Sequence, residues 1–242
     1  MRTLTFALSS ALKMVAFASL ASAASLQVSP VNIEVQAPGA ASTVTLLNLG
    51  KDVINPQVRV FKWSQSNGKD ELTPTRDVVA SPPAVKMTAG KKSVIRIVRT
   101  NKTPITGEED YRLVVDEIPA APKAGATGVD FAVRYSIPVF FTTMVIESNI
   151  GWKATIDKSG LRLQAKNDGD RRVKVSALQV SSKSGASINF GDGLVGYVLG
   201  HSTRQWTVKA GSKSITPGTI VNITAQSDNG PIKATAMVLR AN

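Results

Sequence analysis

The chain has no cysteine and only one histidine in 242 residues. Disulfides, thiolate nucleophiles and sulfur-based zinc sites are therefore excluded. The histidine, His201, lies between Gly200 and Ser202 in a turn-like stretch. A lone turn histidine is more often a surface residue than a general base. There is no G-x-S-x-G elbow and no glycine-rich phosphate loop leading into a helix. The acidic turns 168–170 (DGD) and 191–193 (GDG) lack the ligand number of a calcium loop. Glu108, Glu109 and Asp110 form an acidic run before a strand and read as a solvated loop end. Asp116 and Glu117 are adjacent strand residues facing opposite sides, which separates them as an acid–base pair. No catalytic residue, metal ligand set or cofactor is assigned, and the chain does not read as an enzyme.

Acidic residues are also scarce. Asp and Glu number 17 against 29 Lys and Arg, a formal net charge of +12. Removing Arg2 and Lys13 with a leader segment lowers this by two, to +10. Such an excess suits an acidic partner, nucleic acid or an anionic membrane, with a solvated basic surface as the plainer alternative. The cations are spread singly through alternating segments rather than gathered in a tail, which argues against nucleic acid.

No apolar run is long enough to span a bilayer. Residues 14–20 (MVAFASL) come after Arg2 and Lys13 and precede Ala21-Ser22-Ala23, an A-x-A cleavage pattern. Residues 1–23 read as a signal peptide, with the mature chain starting at Ala24 or Ser25 in an exported compartment.

Most of the remaining sequence alternates with period two. Residues 25–29, 31–35, 42–46, 57–63, 93–99 and 111–117 are rich in Val, Ile, Thr and aromatics and predict half-buried strands. Turn signals at 37–39 (APG), 48–50 (NLG), 67–68 (NG) and 89–90 (AG) separate several of them. A second set covers 153–157, 161–167, 172–180, 204–209, 219–227 and 232–239, with turns at 167–169 (NDG) and 228–230 (DNG). No long helical periodicity occurs. These segments predict an all-β protein of two sandwiches. The division is expected within 143–148, giving an N-terminal domain over 24–145 and a C-terminal domain over 146–242.

The unusual segment lies in the middle. Residues 120–128 (AAPKAGATG) are small and poorly suited to packing, so they predict a mobile loop. A long alternating strand begins at Val129, placing Val129, Phe131, Val133, Tyr135 and Ile137 on one face. Pro138 interrupts it, which suits an edge, a bulge or a change of sheet. A long apolar edge is an aggregation liability unless another chain uses it. On periodicity alone an ordinary internal strand remains open.

Several stretches carry a resemblance. They are 59–63 (RVFKW), 81–83 (SPP), Gly90 with 95–97 (IRI), 111–119 (YRLVVDEIP) and 134–140 (RYSIPVF). Also similar are 167–169 (NDG), Leu178 and 196–199 (GYVL) ahead of a Ser-Thr pair. Together they resemble the periplasmic chaperones of chaperone–usher pilus systems (PapD-like), above all the archaic or Csu-type branch. The resemblance covers nearly the whole mature chain.

It implies two immunoglobulin-like domains in an L or boomerang and a periplasmic location. It also implies pilin subunits and an outer-membrane usher as partners, with no ATP. The strand ending domain one would complete a pilin's unfinished fold, with Val129, Phe131 and Val133 as donors and Tyr135 next in phase. Many family members clamp the pilin carboxylate with an Arg and a Lys, near whose positions this chain has Pro30 and Pro138. A buried carboxylate still requires charged donors. The candidates are Arg96, Arg134 and Arg59, with Arg96 and Arg134 the preferred pair and structural pairing to Asp116 or Glu117 the alternative. Self-association of the free protein stays open.

The competing class is an exported immunoglobulin-like adhesion or carbohydrate-binding module. It would need an exposed aromatic platform from Trp63, Trp152 or Trp206, all of which sit in or beside alternating segments where core packing is the commoner role.

Overall fold

The computed structural model describes residues 26–118, 132–209 and 215–241. Every regular element among them is a strand, and no helix is long and apolar enough to cross a membrane. The signal segment, the 120–128 loop, Val129 and Phe131 lie outside the described residues.

Among the described residues the first unit holds nine strands. They are β1 (Leu26–Ser29), β2 (Ile33–Gln36), β3 (Ala41–Asn48), β4 (Asn55–Ser66) and β5 (Lys69–Pro74), then β6 (Val78–Ser81), β7 (Lys92–Arg99), β8 (Glu108–Ile118) and β9 (Arg134–Thr142). They form two sheets, ordered β1-β3-β7-β6 and β2-β9-β8-β4-β5. Alternation puts Val44 and Leu46 of β3, Ile95 and Ile97 of β7, and Leu113 and Val115 of β8 into one core between the sheets.

The second unit contains β10 (Ile150–Asp157), β11 (Gly160–Asn167), β12 (Val173–Ser182), β13 (Ser187–Val198), β14 (Ser202–Val208), β15 (Ile220–Ser227) and β16 (Gly230–Arg240). Their order is β13-β12-β15-β16-β10-β11-β14. The long β16 changes partner, pairing with β15 through Met237 and with β10 from Val238. The sheet therefore folds over itself. Leu161 and Leu163 from one half meet Val180, Val221 and Ile223 from the other in a separate core.

Trp152 and Trp206 stack at 6.1 Å and pack half-buried against that second core. Trp63 is 1% exposed. None of the three offers a flat exposed platform.

Two local expectations change. The 191–193 stretch is not a turn but lies inside β13, where the pairing with β12 slips around Leu178. Gly191 has φ +145°, and a Cβ there would meet Val195 Cγ1 at 2.7 Å, so the irregular strand requires glycine. The acidic run 108–110 is not a solvated loop end but the start of β8. The Glu108 side chain is only 1% exposed.

Candidate functional site

β9 has two different halves. From Val139 to Thr142 it lies between β8 and the parallel strand β2. From Arg134 to Pro138 its only described neighbour is β8, so its other border is open among the described residues. Pro138 is the last residue before the second partner begins, a position that tolerates a missing N–H. Pairing to β8 continues outward, because Glu117 N–H donates to the Val133 carbonyl at 3.0 Å. β1 is the end strand of the opposite sheet and borders the same opening. The Tyr135 hydroxyl joins the two by donating to the Leu26 carbonyl at 2.5 Å.

The inward face of β9 carries Tyr135, Ile137, Val139 and Phe141 at the expected two-residue spacing. Phe141, Val139 and Ile137 are 0%, 0% and 2% exposed, whereas Tyr135 and Val133 are only half-buried. The apolar row thus runs out of its own core toward the open end. Of the four donor candidates, Val133 and Tyr135 are described, and the Tyr135 hydroxyl is already committed to β1.

The arginine candidates do not converge. Arg59 and Arg134 both bind Asp116, Arg59 at 2.5 Å. Burial works against the Asp116 charge, but Arg134 and Arg59 outweigh it and hold the carboxyl below its ordinary range. Arg96 lies on β7, opposite Thr43 and Ser81, on the outer face of the other sheet. The preferred pair, Arg96 and Arg134, therefore points to opposite sides of the sandwich.

The residue missed from the sequence is Arg112. It stands directly across the ladder from Pro138 and donates to the Ser136 carbonyl at 3.3 Å. Its guanidinium lies 3.7 Å from the Trp63 ring centroid and 5.7 Å from that of Tyr197. Burial lowers its pKa, with Asp70 opposing that shift. Nearby arginines have carboxylates: Arg171 and Arg172 take Glu34, Arg172 also takes Glu108, and Arg204 takes Asp70. Arg112 has no ion pair among the described residues, so it is a half-buried cation whose charge no carboxylate partner cancels. The clue in the sequence was its place in the YRLVVDEIP stretch, on the strand that neighbours Pro138.

Behind Arg112 the two units meet. Trp63 and Phe140 of the first and Tyr197 and Leu199 of the second form a small buried cluster. The Arg172 guanidinium lies 3.4 Å from the Phe140 ring centroid and binds Glu108. Asp110 shares this seam. It is 9% exposed, and its Oδ1 has no hydrogen-bond partner among the described residues. Burial, then the Glu108 charge, pushes its carboxyl up to about 8.

Comparison with known proteins agrees with this architecture. The model of the pili and flagellar-assembly chaperone PapD N-terminal domain matches residues 25–143. No curated protein matches the chain in sequence. The chain is similar to a crystal structure of the CsuC–CsuE chaperone–tip adhesion subunit pre-assembly complex from archaic chaperone–usher Csu pili of Acinetobacter baumannii. That likeness has 26% identity and a TM-score of 0.66, covering 90% of this chain and 100% of that one. The YadV chaperone shares the fold at 17% identity and TM-score 0.62, covering 88% of this chain and 100% of that one. So does the complex of Salmonella enterica SafA pilin with the SafB chaperone, at 17% identity and TM-score 0.59, covering 87% and 95%. Residues 25–143 thus belong to the pili and flagellar-assembly chaperone PapD N-terminal domain family, and the whole chain, with its two immunoglobulin-like β-sandwiches, has the architecture of PapD-like pilus-assembly chaperones.

Proposed function

We propose that this chaperone captures pilin subunits in the periplasm by lending them the open half of β9. It then passes them to an outer-membrane usher without catalysis, cofactor or ATP. The supporting observation is the strand whose apolar face stays in phase while its burial fades toward an unpaired border. Val129, Phe131 and Val133 would fill the subunit's open groove. Each buried Val or Phe contributes about 1.5–3 kcal/mol, and each strand hydrogen bond adds about 1 kcal/mol net. Arg112 would receive the subunit's terminal carboxylate. In this scheme the strand-lending domain ends near residue 145, and the leader 1–23 is removed on export.

Co-expression with a pilin subunit tests this. Phe131→Asp should abolish co-purification of the subunit while leaving the melting temperature of the chaperone unchanged. Wild-type yield of the complex from that variant would refute the donor assignment. Glycan binding without any subunit would favour an adhesion module instead.

A further inference from the structure

The seam between the two units also fixes the geometry of Arg112. Arg112 belongs to the first unit, yet Tyr197, whose ring lies within reach of its guanidinium, comes from β13 of the second. Trp63 and Tyr197 meet edge to face at 5.4 Å and 84°. The Trp63 ring and the backbone at Tyr197 are both tied down by hydrogen bonds. The Trp63 indole N–H donates to Asp70 Oδ1 at 3.1 Å. Gln65 Nε2 donates to the same oxygen and to the Tyr197 carbonyl, both at 2.8 Å. The Leu199 N–H returns to Gln65 Oε1 at 3.1 Å. Gln65 is thus a two-way tie between β4 and the chain around Tyr197.

We infer that Tyr197 and Gln65 are positioning residues for carboxylate capture, making the second unit part of the subunit-binding site. This rests on Arg112 being the anchor. An arginine laid against aromatic rings has already surrendered much of its side-chain freedom, so less is lost when its N–H groups close on a carboxylate. The rings stabilise the cation without cancelling its charge, as a carboxylate partner would. Displacing Tyr197 would leave Arg112 charged but poorly aimed.

The probe is a seven-residue peptide of alternating valine and threonine, made as free acid and as C-terminal amide. Both are titrated calorimetrically into the full mature chain. The wild type should prefer the acid by about tenfold, the scale of one charge-assisted contact. Tyr197→Leu should cut that preference to about twofold, and Tyr197→Phe should restore it. Affinity for the amide should stay constant, which a general packing defect would not allow. Gln65→Ala removes no core ring and should lower the acid preference similarly, so it decides the matter if Tyr197→Leu does not fold.

An undiminished tenfold preference in Tyr197→Leu or Gln65→Ala overturns the inference while leaving Arg112 in place. Equal treatment of acid and amide by the wild type, or a preference that survives Arg112→Ala, removes Arg112 itself as the anchor.

Discussion

Arg172 crosses from the second unit to hold Glu108 of the first: its backbone N–H donates to Oε1 at 3.0 Å and its guanidinium to Oε2. The same guanidinium reaches Glu34 at 2.6 Å. Both partners of the main pair are nearly sealed from solvent, at 5% and 1% side-chain exposure.

Arg172→Ala would strand the Glu108 charge. Breaking one side of a buried pair typically costs about 3–5 kcal/mol. Denaturant unfolding should show a loss of that order. The two units should also begin to melt separately, because Arg172 stacks on Phe140 within their shared cluster. Unchanged, single-step unfolding would contradict this.

Asp110 makes stability depend on pH in an unusual direction for an acid. Burial and the neighbouring Glu108 raise its folded pKa to about 8, with Lys62 and Arg172 opposing. The unfolded chain ionises it near 4. Folding therefore takes up a proton between these values, so this contribution is full in acid and fades as pH rises toward about 8. Asp110→Asn should flatten that decline in melts run from pH 5 to 9. A slope equal to that of the wild type would count against the assignment.

Asp116 behaves oppositely but weakly. Arg134 and Arg59 depress its pKa, so the pairing is present at neutral pH and disappears as acid protonates the carboxylate. The arginine side chains are 68% and 45% exposed, so Asp116→Ala should cost no more than about 1 kcal/mol. A loss several times larger would show that the trio does more than join solvated side chains.

Arg112 and Arg96 separate cleanly. Arg112→Ala should weaken subunit capture by about tenfold or more, measured by co-purification and titration. Arg96→Ala, on the outer face of the opposite sheet, should leave capture within twofold of the wild type. The reverse ranking would place the carboxylate on the other side of the sandwich.

The strands that were legible in the sequence are those with one face buried, where alternation is forced. β7 and β15 were readable for that reason. β5 (KDELTP) is exposed at every position, so it has no apolar phase to detect. β6 has only four residues. β13 was hidden by glycines at 191, 193 and 196, which resemble punctuation but here serve an irregular edge. The alternation of Val133, Tyr135 and Ile137 was visible as a pattern. Arg112 was not, because its value depends on what stands opposite it on β9 and on a ring from another unit. The burial of Glu108 was illegible for the same reason: its partner is 64 residues away.

β5 closes the sheet on the side away from β2 and β9, and it brings Lys69, Asp70, Glu71 and Pro74 to that margin. Charges and proline discourage a strand from docking there. Extension of the sheet from this margin is thus disfavoured. In the proposed scheme a guest joining at β9 would meet charges and proline, not an apolar port, on the far flank, so the same sheet would not take a second guest there.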